Sequence, residues 1–341
     1  MNLSFLKPQH DSLLRAPVAS RVTPAFAGVL FLALRRAFFL VAMVWVAGCA
    51  TPTAQLAALT AQWPADLPSH AQIENLPFIA QEDYQCGPAA LAMVAGHAGV
   101  ERDIAIWVQQ VYLPGRQGAL QGEMLVASRR NGLPGYVIDP RIDELLREVA
   151  AGNPVVVLQN LAFAWSPVWH YAVVTGFDRA QGSITLHSGR TENMRMSLTT
   201  FERTWARADR WAMVALPAQR LPATAQADAF VAAVVALERV QPGAAQTAYA
   251  TALKAWPTHR IALLGAGNSA YAMGQLDRAA EAYRTLVAAH PQDGDGWNNL
   301  AQVLLDQGQR QAALEAAKQA VSAAGPRLDK YRALLEEIGK K

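Results

Sequence analysis

A fixed interval of 34 residues runs through the C-terminal third of this chain and narrows its fold more than any other feature. Pro257 and Pro291 stand 34 residues apart, as do Tyr249 and Tyr283, Ala245 and Ala279, Leu263 and Trp297, and Gly274 and Gly308. Ala313 extends the alanine series by one more interval. Several residue classes held in one register imply a single structural unit used repeatedly, each leaving an apolar face that only its neighbour covers. The segment is rich in Ala, with Pro and Gly at regular breaks, so it is expected to be all α.

Period and residue types resemble the tetratricopeptide repeat, in which small residues sit where paired helices pack closely and Pro ends each unit. The resemblance implies units near 226–259, 260–293 and 294–327, with "LDKYRALLEEIGKK" as a charged capping helix. It also implies a surface for a protein partner. The first unit lacks the apolar-Gly signature of its first helix, and an irregular helical bundle is the plainer alternative.

With 341 residues the chain exceeds one typical domain, and 52% hydrophobic against 17% charged residues supply ample core material. The net charge of +3 is small, and neither sign gathers into a block, which speaks against a nucleic-acid partner. A Pro-containing linker at 218–225, within "PAQRLPATAQ", separates the repeats (226–341) from a first globular domain at 76–217. There, 86–98 reads as a helix with Pro88 in its first turn, where no N–H donor is needed. "IDELLREVAAGNP" reads as another, with Ile142, Leu145, Leu146 and Val149 at helical spacing and Gly152 and Pro154 as the stop. Strands are expected at 154–161, 170–177, 183–188 and 211–216, closely spaced and therefore antiparallel. Helices first and sheet second make this domain α+β. The stretch 49–75, rich in Ala, Thr, Pro and Gln, reads as a tether.

The chemistry centres on "QEDYQCGPAALAMV". Cys86 stands at the expected start of a helix, where the macrodipole and free N–H groups favour a thiolate. Gln81, five residues upstream, brings a side-chain amide to the same place, and His170 opens an apolar strand as a candidate base. A buried inert cysteine and a structural strand-end histidine are the alternative readings of each residue taken singly.

Gln81, Cys86-Gly87-Pro88-Ala89-Ala90-Leu91 and Trp169-His170-Tyr171-Ala172-Val173-Val174 together resemble the C39-like, papain-like cysteine peptidases of bacteria, over roughly residues 76–216. The implied architecture is an α+β papain-like cysteine peptidase domain followed by an all-α tetratricopeptide-repeat domain. The resemblance assigns Cys86 as nucleophile, His170 as general acid/base, and Gln81 with the Cys86 backbone N–H as the oxyanion-binding pair. It further implies a protein or peptide substrate. Such peptidases usually place Asp or Asn where this chain reads "ITLHSGR"; Ser188 stands nearest, with His187 beside it and Asn193 five residues on. A serine carries no charge, so a catalytically weak or inactive binding lipoprotein is the alternative function, and an amidase or acyl transferase uses the same thiol chemistry. Asp178, in "GFDRAQGS", reads as a turn residue. Among the tryptophans, Trp107, Trp165, Trp169, Trp205 and Trp211 are candidates for core or for a substrate cleft.

Residues 1–48 read as a signal peptide with an N-terminal extension. "RRAFFLVAMVWVAGC" places two arginines before a short apolar run and small residues, the order of a secretory signal. Val46-Ala47-Gly48-Cys49 resembles the bacterial lipobox, which implies lipid on Cys49 and membrane attachment through it. Ala50 rather than Asp after that cysteine resembles lipoproteins of the outer membrane, hence an envelope location on its periplasmic face. An uncleaved anchor over 25–48 is the other reading. Lipid on Cys49 would leave Cys86 as a single thiol. No histidine spacing gathers metal ligands, and no Gly-x4-Gly-Lys-Ser/Thr loop is present, so neither metal, cofactor nor nucleotide is expected.

Overall fold

The computed structural model describes residues 53–81 and 85–340; Cys49 and the signal and lipobox readings lie outside them. The first domain is built around a helix that is buried on all sides. Helix α2 (Cys86–His97) has Gly87 through Ala95 buried without a polar face, as expected of a helix enclosed by its own domain. Around it lie α1 (Ala54–Ala61), α3 (Ile104–Val111), α4 (Gln121–Arg130) and α5 (Ile142–Ala150). In α5 the spaced residues Ile142, Leu145, Leu146 and Val149 are buried as the periodicity requires. Gly152, with φ of 76°, and Pro154 end the segment.

The sheet contains β1 (His70–Gln72), β2 (Gly135–Val137), β3 (Val155–Asn160), β4 (Trp169–Asp178), β5 (Ser183–Ser188), β6 (Thr191–Ser197) and β7 (Ala212–Ala215). All its pairings are antiparallel, in the order β2-β7-β3-β4-β5-β6, while β1 continues along β4. Strand β3 is buried throughout, which its Val-Val-Val-Leu run anticipates. Helix α6 (Leu198–Ala206) connects β6 to β7.

Two segments differ from their sequence reading. The supposed tether is part of the domain over its described residues: Leu56, Leu59, Leu67 and Ile73 are buried, and Ala71 stands opposite Phe177 in the sheet. Apolar side chains spaced among Ala, Pro and Gln had enough surface to join the core, although no single run was long enough to signal it. The supposed linker is likewise held rather than free. Ala218 is buried, and the backbone N–H groups of Ala223 and Thr224 donate to the fully buried Glu148 of α5 at 3.2 and 2.8 Å. The Thr224 hydroxyl and the Asn153 amide donate to the same carboxylate at 2.6 and 2.5 Å.

Helices α7 (Ala227–Glu238), α8 (Pro242–Ala255), α9 (Arg260–Ala272), α10 (Leu276–Ala289), α11 (Gly294–Asp306), α12 (Arg310–Ala323) and α13 (Leu328–Lys340) follow. Paired in order, α7 with α8, α9 with α10 and α11 with α12 reproduce the 34-residue interval. Its small residues mark the close approaches: a Cβ on Gly265 of α9 would run into the Tyr249 ring of α8. The core does not stop at the linker. Phe230 of α7 lies between Tyr136 of β2 (6.4 Å between ring centroids) and Trp256 (6.3 Å). The Tyr136 hydroxyl donates to the Thr224 carbonyl at 3.2 Å and accepts from the Gln226 N–H at 3.1 Å.

Candidate active site

Cys86 is the first residue of α2, and the helix start has no side-chain cap, so its leading N–H groups are not taken up by a capping residue. Gly87 lets this end approach the 118–120 segment: a Cβ there would lie 2.6 Å from the Ala119 Cβ. Across the opening, β4 begins at Trp169, and its pairing with β3 sets His170 opposite Gln159. Gln81, Cys86 and His170 line one cavity of about 880 Å³, with Leu158, Val168 and Trp169 among its other walls. Residues up to 89 positions apart in sequence are thus brought to one opening by a helix end and a strand start.

The His170 Nε2 lies 2.9 Å from the Ser188 hydroxyl, leaving Nδ1 as the nitrogen available to the cavity. Ser188 is buried behind the ring on β5. His187, its neighbour, is turned away and committed elsewhere: its Nδ1 accepts from the Asn193 backbone N–H at 3.2 Å, and its ring packs edge-on against Phe78 at 5.3 Å. Asn193 therefore meets His187 rather than His170. Asp178, read as a turn residue, is instead the last residue of β4, paired with Ser183, and its carboxylate accepts from the Gln181 N–H of the following turn at 3.0 Å.

Tyr171 ties the pieces together through its backbone. Its carbonyl accepts the buried Gln81 side-chain amide at 3.5 Å, a long bond that the amide gives up at little cost to a better acceptor. Its N–H, with those of Gly87 and Cys86, favours the Cys86 thiolate. Burial is the larger influence and pushes the thiol above its ordinary value of 9.0. Burial likewise holds His170 below 6.5. The resting pair therefore favours neutral thiol and neutral imidazole, with no carboxylate among the groups that shift His170. The backbone role of Tyr171 was not legible in sequence, because any residue after His170 supplies the same N–H and carbonyl.

Of the singled-out tryptophans, Trp107 and Trp205 are core, Trp211 packs edge-on against Tyr171 at 5.8 Å, Trp169 lines the cavity, and Trp165 is exposed. Among the described residues no group of three or more His, Cys, Asp or Glu is placed to hold a metal ion. No described helix is long and apolar enough to cross a membrane.

Residues 73–213 match the model of the Peptidase_C39 like family. Residues 230–272 and 264–329 match a tetratricopeptide-repeat model. Among solved structures, a putative C39-like peptidase from Bacillus anthracis is 19% identical, over 44% of this chain and 98% of its own, with a TM-score of 0.37. A double glycine motif protease from an AMS/PCAT transporter, solved with its leader peptide, is 20% identical over 42% and 93%, with a TM-score of 0.33. The Sgt2 TPR domain from Aspergillus fumigatus is 24% identical over 33% and 77%, with a TM-score of 0.31. No curated protein matches the chain.

Proposed function

We propose that this chain, a C39-like peptidase domain at 73–213 followed by tetratricopeptide repeats at 230–329, is a cysteine peptidase whose repeats hold a protein partner. The observation that carries the reading is the meeting of Cys86, His170 and Gln81 in one cavity, with the far nitrogen of His170 already engaged by Ser188. As the thiol approaches a substrate carbonyl, His170 Nδ1 takes its proton and sulfur bonds to the carbonyl carbon. The Gln81 amide and the Cys86 N–H receive the charge that moves onto oxygen. His170 then returns the proton to the leaving amine, and a water deprotonated by the same nitrogen releases the acyl group. In this scheme Ser188 holds the ring, its hydroxyl oxygen accepting a hydrogen bond from the Nε2–H of the imidazolium. Anchoring at a bacterial envelope membrane through lipid on Cys49 is part of the same proposal and rests on the sequence alone.

A thiol-directed electrophile tests the nucleophile directly. It should label the parent at Cys86 and leave the corresponding peptide unmodified in Cys86→Ala; equal labelling of that region in both would end the assignment.

A second reading, a weakly catalytic binding protein, is favoured by one observation: both members of the pair are shifted toward their neutral forms by burial. Ser188→Asp separates the two. A carboxylate beside Nε2 stabilises the imidazolium, so the His170 pKa rises and the acid limb of the pH–rate profile moves up by roughly one pH unit or more. Thiolate character at neutral pH rises with it, and alkylation of Cys86 should accelerate. An unmoved acid limb would show that His170 does not govern the reaction.

A further inference from the structure

The turn joining β3 to β4, "LAFAWSPV" at 161–168, is ordered yet strongly apolar on its outside. Trp165 is 84% exposed, Phe163 65%, Val168 and Trp169 54% each, and Leu161 46%. The Phe163 and Trp165 rings stack at 5.6 Å with 7° between their planes. The buried Asn160 holds this shape, its side-chain oxygen accepting from the Ala162 and Val168 N–H groups at 3.1 Å each. Leu161 N–H donates to the Val168 carbonyl at 2.9 Å, and Arg207 donates to the Asn160 carbonyl from Nε at 3.2 Å and Nη2 at 3.0 Å. A patch of this size on an otherwise ordinary surface calls for a partner.

From this we infer that the 161–168 hairpin is a membrane-docking element that seats the cavity mouth on an anionic bilayer. Exposed aromatic side chains suit the headgroup boundary, where Trp is at home. Charge around them is complementary to anionic lipid: Arg116 and Arg190 line the cavity mouth and Arg207 stands at the hairpin base, all exposed, and among the described residues lining the cavity Asp209 alone carries a carboxylate. A peptide in the cleft is the less fitting occupant. Val168 and Trp169 line the cavity, but Phe163 and Trp165, the most exposed rings, lie outside its lining. The hairpin thus reaches past the cleft and, once seated, leaves the opening at headgroup level. This inference concerns a surface and does not depend on catalysis.

The test uses the full chain on equimolar phosphatidylethanolamine and phosphatidylglycerol vesicles with brominated acyl chains, which quench tryptophans that reach them. Wild type should lose a component of fluorescence that Trp165→Phe lacks, and Cys86→Ala should behave as wild type. Replacing phosphatidylglycerol by phosphatidylcholine, or making Arg116→Gln with Arg190→Gln, should weaken that component roughly threefold or more. Equal quenching in wild type and Trp165→Phe overturns the inference, whatever attaches the chain's N-terminal region to the vesicle. So does loss of peptide binding in a Phe163→Ser/Trp165→Ser variant of the Cys86→Ala background when Trp165 of the Cys86→Ala parent shows no quenching by the vesicles, which would make the hairpin a substrate surface. Failure of Cys86 labelling would overturn the peptidase reading and leave this one standing.

Discussion

Cys86→Ala is expected to abolish the proposed peptide-bond hydrolysis, His170→Ala to cost nearly as much, and the double variant to be no slower than either single one. The expected loss is on the order of 10⁴-fold or more in kcat, because groups that act as a unit lose their effect together rather than additively. The reason lies in the resting state. With the thiol pushed up and the imidazole pushed down by burial, little free thiolate exists, so a Cys86 deprived of His170 has no base to accept its proton. Gln81→Ala leaves the pair in place and removes one donor to the oxyanion, for a loss of about 10²-fold. Its alkylation rate should stay near that of wild type, since the electrophile forms no oxyanion. Steady-state turnover on a mixed peptide library, read by mass spectrometry, checks all four proteins. A His170→Ala variant within tenfold of wild type would dissolve the proposed pair.

The largest structural effect is expected at Glu148, far from the cleft. Its carboxylate accepts from Asn153, from the Ala223 and Thr224 backbone and from the Thr224 hydroxyl, and Glu148→Leu leaves the buried Asn153 amide without its acceptor and releases the partly exposed 223–224 segment. Leaving a buried polar group without a partner is costly, and a loss of about 2–3 kcal/mol is expected in urea denaturation. The damage should localise. Arg220, whose guanidinium donates to the Ala151 carbonyl at 2.6 Å, becomes a trypsin site in the variant and stays protected in wild type. A variant as stable and as resistant as wild type would show that the carboxylate holds nothing.

Much of this arrangement could be read from spacing. Helix α5 and strand β3 announced themselves because their apolar residues fill a whole face or both faces. The repeats did so because close helix packing needs small residues at fixed intervals, as Gly265 against Tyr249 illustrates. What escaped was what depends on a partner distant in sequence. Strand β6, "TENMRMS", is a largely exposed edge whose alternation is limited to Met194 and Met196, too short a pattern to mark a strand. Strands β1 and β2 span only three residues each and exist because β4 and β7 pair with them. At the site, Cys86, Gln81 and His170 were visible as residue types suited to one chemistry. The engagement of His170 by Ser188 was foreseen only as a neighbouring position, since serine lacks the charge that would mark it. The hairpin at 161–168 was ambiguous because aromatic residues read as core until the fold leaves them outside.

The shared core across residues 217–226 also changes what the repeats can do for the peptidase domain. A domain on a loose tether sweeps its cargo through a volume, and the local concentration it offers falls as that volume grows. Here Phe230 is wedged between Tyr136 and Trp256, and Glu148 grips the connecting segment. On the proposed function, a partner captured by the repeats would be held at one reach and one bearing. Partners whose cleavable segment fits that reach would gain a high effective molarity, and those of other lengths none, so distance itself would become a criterion of choice.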